Sequence, residues 1–190
     1  MSNTTQETSM EMTKQLCRFV KELKYEDIPP MVIERAKMIM LQTIGVTLAA
    51  RNTPIGEKVR EMSREANGGL GGPTTVWGTG EKMAPVNAAL ALGTMSDSLD
   101  WEDCSWTGHP SAGIIPCAWL ASEEKHKSGK DLLTAIVAGY EVYQRIAMAV
   151  QPSEERRRTK GWGLTSWQIF GIRDKAFSRF MTGPSSISWS

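Results

Sequence analysis

The residues best suited to chemistry cluster between Asp97 and Ser111. Within the stretch LDWEDCSWTGHPS, which starts at Leu99, the chain places Asp100, Glu102, Asp103 and His109, one of only 2 histidines. Asp97 stands just upstream. A histidine among carboxylates can be oriented and tuned for proton transfer near neutral pH. Pro110 follows directly and sets the start of a helix, whose first turn presents unpaired N–H groups and a positive partial charge. Such an end suits a substrate carboxylate, and Ser111 adds a hydroxyl at the same place. A base, an acid and an anion cradle are what elimination or decarboxylation of a polycarboxylate requires. Plainer readings account for the same residues: a solvated acidic loop, an Asp that caps the next helix, a His held by a backbone carbonyl. A magnesium or calcium site is a further alternative, since carboxylate oxygens suit hard cations. The loop lacks the DxDxDG spacing of a calcium hand, so no metal is assigned. Cys104 has no basic neighbour to activate its thiol. His126, in the run EEKHK, reads as a partner of a helix C-terminus.

Bulk properties narrow the function classes. The 190 residues include 22 Lys and Arg against 21 Asp and Glu, a net charge of +1 that gives no basic face for nucleic acid. The short basic run at Arg156–Lys160 follows two glutamates and reads as a solvated turn. The 3 cysteines, Cys17, Cys104 and Cys117, are widely spaced and form no CxxC, which fits free thiols rather than disulfides or zinc. The N-terminal segment has no apolar core of a signal peptide. No stretch reaches the roughly 18–20 apolar residues that span a bilayer, so no membrane partner is expected. With no address written, a cytoplasmic location is the expectation. The glycines at 68–72 and 78–80 match neither a P-loop nor GxGxxG.

Positioning the loop requires rigid elements, and the apolar periodicity predicts helices. One is expected over about Thr5–Leu23, and a second over Pro30–Ala50 with Val32, Ala36, Ile39, Met40, Ile44 and Leu48 inward. A third starts at Thr53-Pro54 and ends at Asn67-Gly68-Gly69. A fourth covers about Ala84–Ser96, where Gly93 suggests a close neighbour. A fifth runs from Pro110 to about Lys125, and a sixth from Lys130 to Val150 on a stripe of Leu133, Ile136, Tyr140, Tyr143 and Ala147. Thr74–Trp77 alone has strand-like composition. A further helix begins near Trp162–Phe170. The class is therefore all-α, with at most one small hairpin.

The segment LDWEDCSWTGHPSAGIIP resembles the LDxDD…HPS region of the MmgE/PrpD family. Further similarity lies in DIPPMVIERAKMIMLQTIGVTLAA, in VWGTGEKMAPVNAALALGTMSDSLD, in GYEVYQRIAMAV and in KGWGLTSWQIFG, so that residues of about 10–171 are covered. The family includes 2-methylcitrate dehydratase, cis-aconitate decarboxylase and iminodisuccinate epimerase. The resemblance implies a multi-helix N-terminal domain, a separate α+β lid domain, a homodimer formed through the helical domain, a small polycarboxylate substrate and no cofactor. It implies that Asp100 and His109 are the catalytic pair. Cys104 stands where relatives often carry threonine, in a loop one residue shorter, and with Ser111 is assigned to substrate binding. Gly163 stands where relatives commonly carry a second histidine. The similarity stops near Gly171. Residues 1–171 are read as an incomplete helical domain and 172–190 as a divergent, poorly ordered tail. The lid is expected to be missing by truncation, and activity then to be reduced or lost. A non-catalytic helical dimerisation or binding module is the alternative.

Overall fold

The computed structural model describes residues 2–105 and 108–150. The helix expected near Trp162, the Gly163 position and the tail 172–190 lie outside these residues. Among those described, the elements are α1 (Ser2–Glu22), a 3-10 turn at Tyr25–Asp27, α2 (Pro30–Ala50), α3 (Pro54–Ala66), β1 (Thr74–Thr75), β2 (Lys82–Met83), α4 (Pro85–Asp97), α5 (Pro110–Glu124) and α6 (Gly129–Val150). The architecture is all-α. The strands form one antiparallel hairpin in which Thr74 pairs with Met83 and Thr75 with Lys82. Among the described residues, no helix is long and apolar enough to cross a membrane.

Helix starts follow directly from the sequence. Pro30, Pro54, Pro85 and Pro110 each sit in the first turn, where a missing N–H costs nothing and a fixed φ favours the helix. Thr53 caps α3 by accepting from the Gly56 amide at 3.1 Å. Ser128 and Asp131 form a reciprocal cap at the start of α6, with Ser128 Oγ accepting from Asp131 N at 3.2 Å and Asp131 accepting from Ser128 N at 3.0 Å. After α3 the chain turns through Gly68 and Gly69, at φ 65° and 70°, a conformation that favours glycine.

The core lies around α4 and α5, which pack against each other, with α3 against α4, α6 against α5 and α2 against both. Ala88, Ala91, Leu92 and Met95 of α4 are fully buried, as are Ile114, Ile115 and Ala118 of α5. Small residues let these two helices approach closely. A side chain at Gly93 would meet the Ala112 carbonyl oxygen at 3.4 Å, which supports the close neighbour inferred there. Glu123 of α5 ties in the hairpin, accepting from the Thr75 amide at 3.0 Å and from Lys82 at 2.9 Å.

Helix α2 departs from the expected stripe. Its buried positions are Ile33, Ala36, Thr43, Val46, Thr47 and Ala50, while Val32 and Leu48 are exposed. Polarity misleads here because two threonines are satisfied inside the core. Thr43 donates to Ile39 O at 2.9 Å, and Thr47 donates to Thr43 O at 2.7 Å and meets Ser96 Oγ at 2.8 Å. Met31, Met38, Leu41 and Leu48 are left on the outer face.

Two glycine substitutions should differ in sign. A Cβ at Gly56 would overlap the backbone carbonyl of Ala50, whereas one at Gly45 meets nothing within 4 Å. Gly45→Ala is expected to stabilise the fold by about 0.5–1 kcal/mol, through helix propensity and a less disordered unfolded chain. Gly56→Ala should instead cost about 1–3 kcal/mol, because the α2–α3 junction must move. Urea titration of both variants checks this, and a stabilising Gly56→Ala would contradict the packing.

Candidate functional site

Helix α4 ends at Asp97, and a short loop carries the chain from there into α5. Among the described residues, three ties fix the loop. Gln42 of α2 donates to the Trp101 carbonyl at 2.9 Å, which holds its outer turn. Ser105 and Gly108 exchange backbone hydrogen bonds of 2.8 and 3.1 Å, pinching the chain so that residue 109 returns toward residue 102. Gly108 adopts φ 135°, which favours glycine at the pinch. The third tie is Asp103, whose Oδ1 accepts from the Ser111 amide at 3.0 Å and whose Oδ2 accepts from the Tyr140 hydroxyl at 2.9 Å.

These ties bring three of the candidates together. Asp100, Glu102 and His109 place ligand-type atoms within 4.8 Å of one another. The imidazole lies between the two carboxylates. Its Nδ1 is 2.8 Å from Glu102 Oε1, and its Nε2 is 3.7 Å from Asp100 Oδ1. The two acids differ in environment. The Asp100 side chain is 84% exposed and that of Glu102 is 0% exposed. Burial pushes the Glu102 carboxyl above its ordinary range, and the nearby charges of Asp97 and Asp100 act in the same direction. Its own backbone N–H and the imidazole oppose the shift in part. The Glu102–His109 approach is close but lacks regular hydrogen-bond alignment, and neither Glu102 oxygen nor His109 Nδ1 has another partner among the described residues. Asp100 has φ 57°, a left-handed conformation that aspartate tolerates better than most residues.

Asp100 and His109 are thus neighbours. Cys104 and Ser111 are placed differently. Cys104 is exposed, with its thiol 3.5 Å from the Ser105 carbonyl, and is outside the close cluster. Ser111 is fully buried. Its hydroxyl lies beside the Tyr140 phenol without a regular hydrogen bond to it. Its amide is taken by Asp103, so the anion cradle expected at the start of α5 holds a carboxylate of the chain itself. The physical reason is proximity: an Asp eight residues upstream on a pinched loop reaches the helix end and complements its dipole. Burial, together with the adjacent Asp103 charge, pushes the Tyr140 hydroxyl far above its ordinary pKa, so it stays a donor. His126, at φ 51°, lies at the end of α5 and outside the cluster. Glu102 was one acid among four in the sequence, and nothing in residue type or spacing marks it as the buried one.

Comparisons with known proteins address the chain's family. The family model described as MmgE/PrpD N-terminal domain matches residues 14–167. A cis-aconitate decarboxylase-like protein of Aspergillus oryzae is 28% identical over 84% of this chain and 34% of its own length. The cis-aconitate decarboxylase of Aspergillus terreus is 29% identical over 75% of this chain and 30% of its own. A probable 2-methylcitrate dehydratase of Saccharomyces cerevisiae is 28% identical over 71% of this chain and 28% of its own. The chain spans about a third of the length of these curated relatives.

Proposed function

The chain belongs to the MmgE/PrpD family, and we propose that it carries the acid/base residues of a cytoplasmic lyase acting on a small di- or tricarboxylate, by dehydration or decarboxylation. The observation that carries this reading is the His109 ring set between Asp100 and Glu102. Nε2 faces the exposed carboxylate at 3.7 Å, so that the two groups lie side by side on the outer face of the loop. In dehydration, Nε2 takes the proton next to a substrate carboxylate and the hydroxyl leaves as water with a proton handed on through Asp100; in decarboxylation, carbon dioxide leaves and the protonated ring returns a proton to the carbon. The names of the relatives support cis-aconitate and 2-methylcitrate as the first acids to try. No cofactor enters this chemistry.

A second reading, a non-catalytic helical dimerisation module, is favoured by one observation. Met31, Met38, Leu41 and Leu48 form an exposed apolar line along α2 that suits a second copy of the chain. The test is an assay of the purified full chain against cis-aconitate, 2-methylcitrate and iminodisuccinate, with its mass in solution measured in parallel. Turnover of one acid is the expected result. No turnover of any of them, together with a dimer that Leu41→Lys dissociates, would replace the first reading with the second.

A further inference from the structure

Glu102 has no assigned role, although it is the most enclosed acid in the loop. Its side chain is 0% exposed, yet both oxygens lack a regular hydrogen bond among the described residues. An ionisable group in that condition is costly to the fold unless it serves a neighbour. Among the described residues, His109 Nδ1 approaches its carboxylate at 2.8 Å. The opposite ring nitrogen faces Asp100 and the outer side of the loop. A carboxylate behind one nitrogen of a histidine fixes which nitrogen carries the proton, and leaves the other as the basic, outward lone pair.

We infer that Glu102 is a positioning residue that holds His109 with its proton on Nδ1 and its lone pair on Nε2, directed at the Asp100 side. The inference rests on the lyase reading for its use, but the tautomer exists whether or not an acid is turned over. Asp97, Asp100 and His109 are the charged or titratable groups acting on Glu102. Asp100, Glu102 and His109 each offer one ligand-type atom within 4.8 Å of the others, so a shared cation is the rival occupant that the test must separate.

The chain has 2 histidines, so nitrogen-15 NMR of the imidazoles resolves the question. His126→Asn removes the second signal, and asparagine tolerates the φ of 51° there. At a pH where the ring is neutral, His109 should show a protonated Nδ1 and a bare Nε2. Glu102→Gln should shift the signals toward the opposite tautomer, and Glu102→Asp should restore the native pattern in part. A merely structural role predicts the opposite behaviour of stability. Because burial raises the Glu102 carboxyl, ionisation works against the folded state as pH rises through its folded pKa, so Glu102→Gln should keep or raise Tm at neutral pH. An unchanged tautomer in Glu102→Gln, or an Nε2 proton in the native chain, would overturn the inference. So would selective broadening of the His109 signal by substoichiometric Mn2+ that Glu102→Gln abolishes, which would make the cluster a cation site. If the tautomer is as stated but none of the three acids reacts, the lyase reading fails and the positioning role stands.

Discussion

His109→Ala should lower turnover by about 10²–10⁴-fold, the range in which a positioned acid or base contributes. The loss should fall on kcat and kcat/KM together, because in the proposed reaction the ring acts on the moving proton rather than on the bound carboxylates. Geometry supports so large an effect. The ring is 26% exposed, held from behind by a buried acid and open on its Nε2 side. No other histidine can substitute, since His126 lies at the far end of α5, and His126→Asn should leave the rate unchanged. Asp100→Asn makes the matching test. Asparagine keeps the left-handed backbone at φ 57°, so a rate loss reports the carboxylate alone. Asp100→Ala adds backbone strain of about 1 kcal/mol and confuses the two. Stopped-time assays with whichever acid is turned over, alongside circular dichroism of each variant, provide the measurement. A His109→Ala variant with full activity and native spectrum would remove the ring from the mechanism.

The helices were readable because their signals are local. A proline in the first turn, a Thr cap at 53 and paired glycines at 68 and 69 act within a few residues, and four helix starts follow from them. The stripe of α6 was readable for the same reason, with Leu133, Ile136, Tyr143 and Ala147 all buried. The inner face of α2 was not. Thr43 and Thr47 look like surface residues, but their hydroxyls bond back to the helix, and Val32 and Leu48 look like core residues yet are exposed. At the site, residue types identified the loop, whereas the division of labour among its acids depended on long-range ties. Gln42 to Trp101 and Tyr140 to Asp103 join residues 59 and 37 positions apart. Those ties decide that Glu102 faces inward and Asp100 outward. They also decide that Asp103, and not a ligand, meets the Ser111 amide.

Asp103 therefore carries the second large expectation, and it concerns stability. Asp103→Ala removes the acceptor at the start of α5, worth about 1 kcal/mol and up to about 2. It also leaves the Tyr140 hydroxyl buried without its partner, at about 1–3 kcal/mol. The two costs combine to about 2–5 kcal/mol, a large share of the stability of a single domain. Tyr140→Phe should cost less, because Asp103 keeps its bond to the Ser111 amide. The double variant separates the contributions. With phenylalanine at 140 there is no orphaned hydroxyl, so Asp103→Ala should cost about 1 kcal/mol less in that background than in the native one. Urea denaturation of the four proteins at one pH closes the cycle. Strict additivity would mean that the 2.9 Å contact contributes nothing. A coupling of the expected sign ties the loop to α6, because Tyr140 is the α6 residue that reaches Asp103. Since Glu102 is the residue before Asp103, loosening that tie should also let the Glu102–His109 pair drift apart. Asp103→Ala is thus expected to lose part of the His109 tautomer preference even where the helices remain folded.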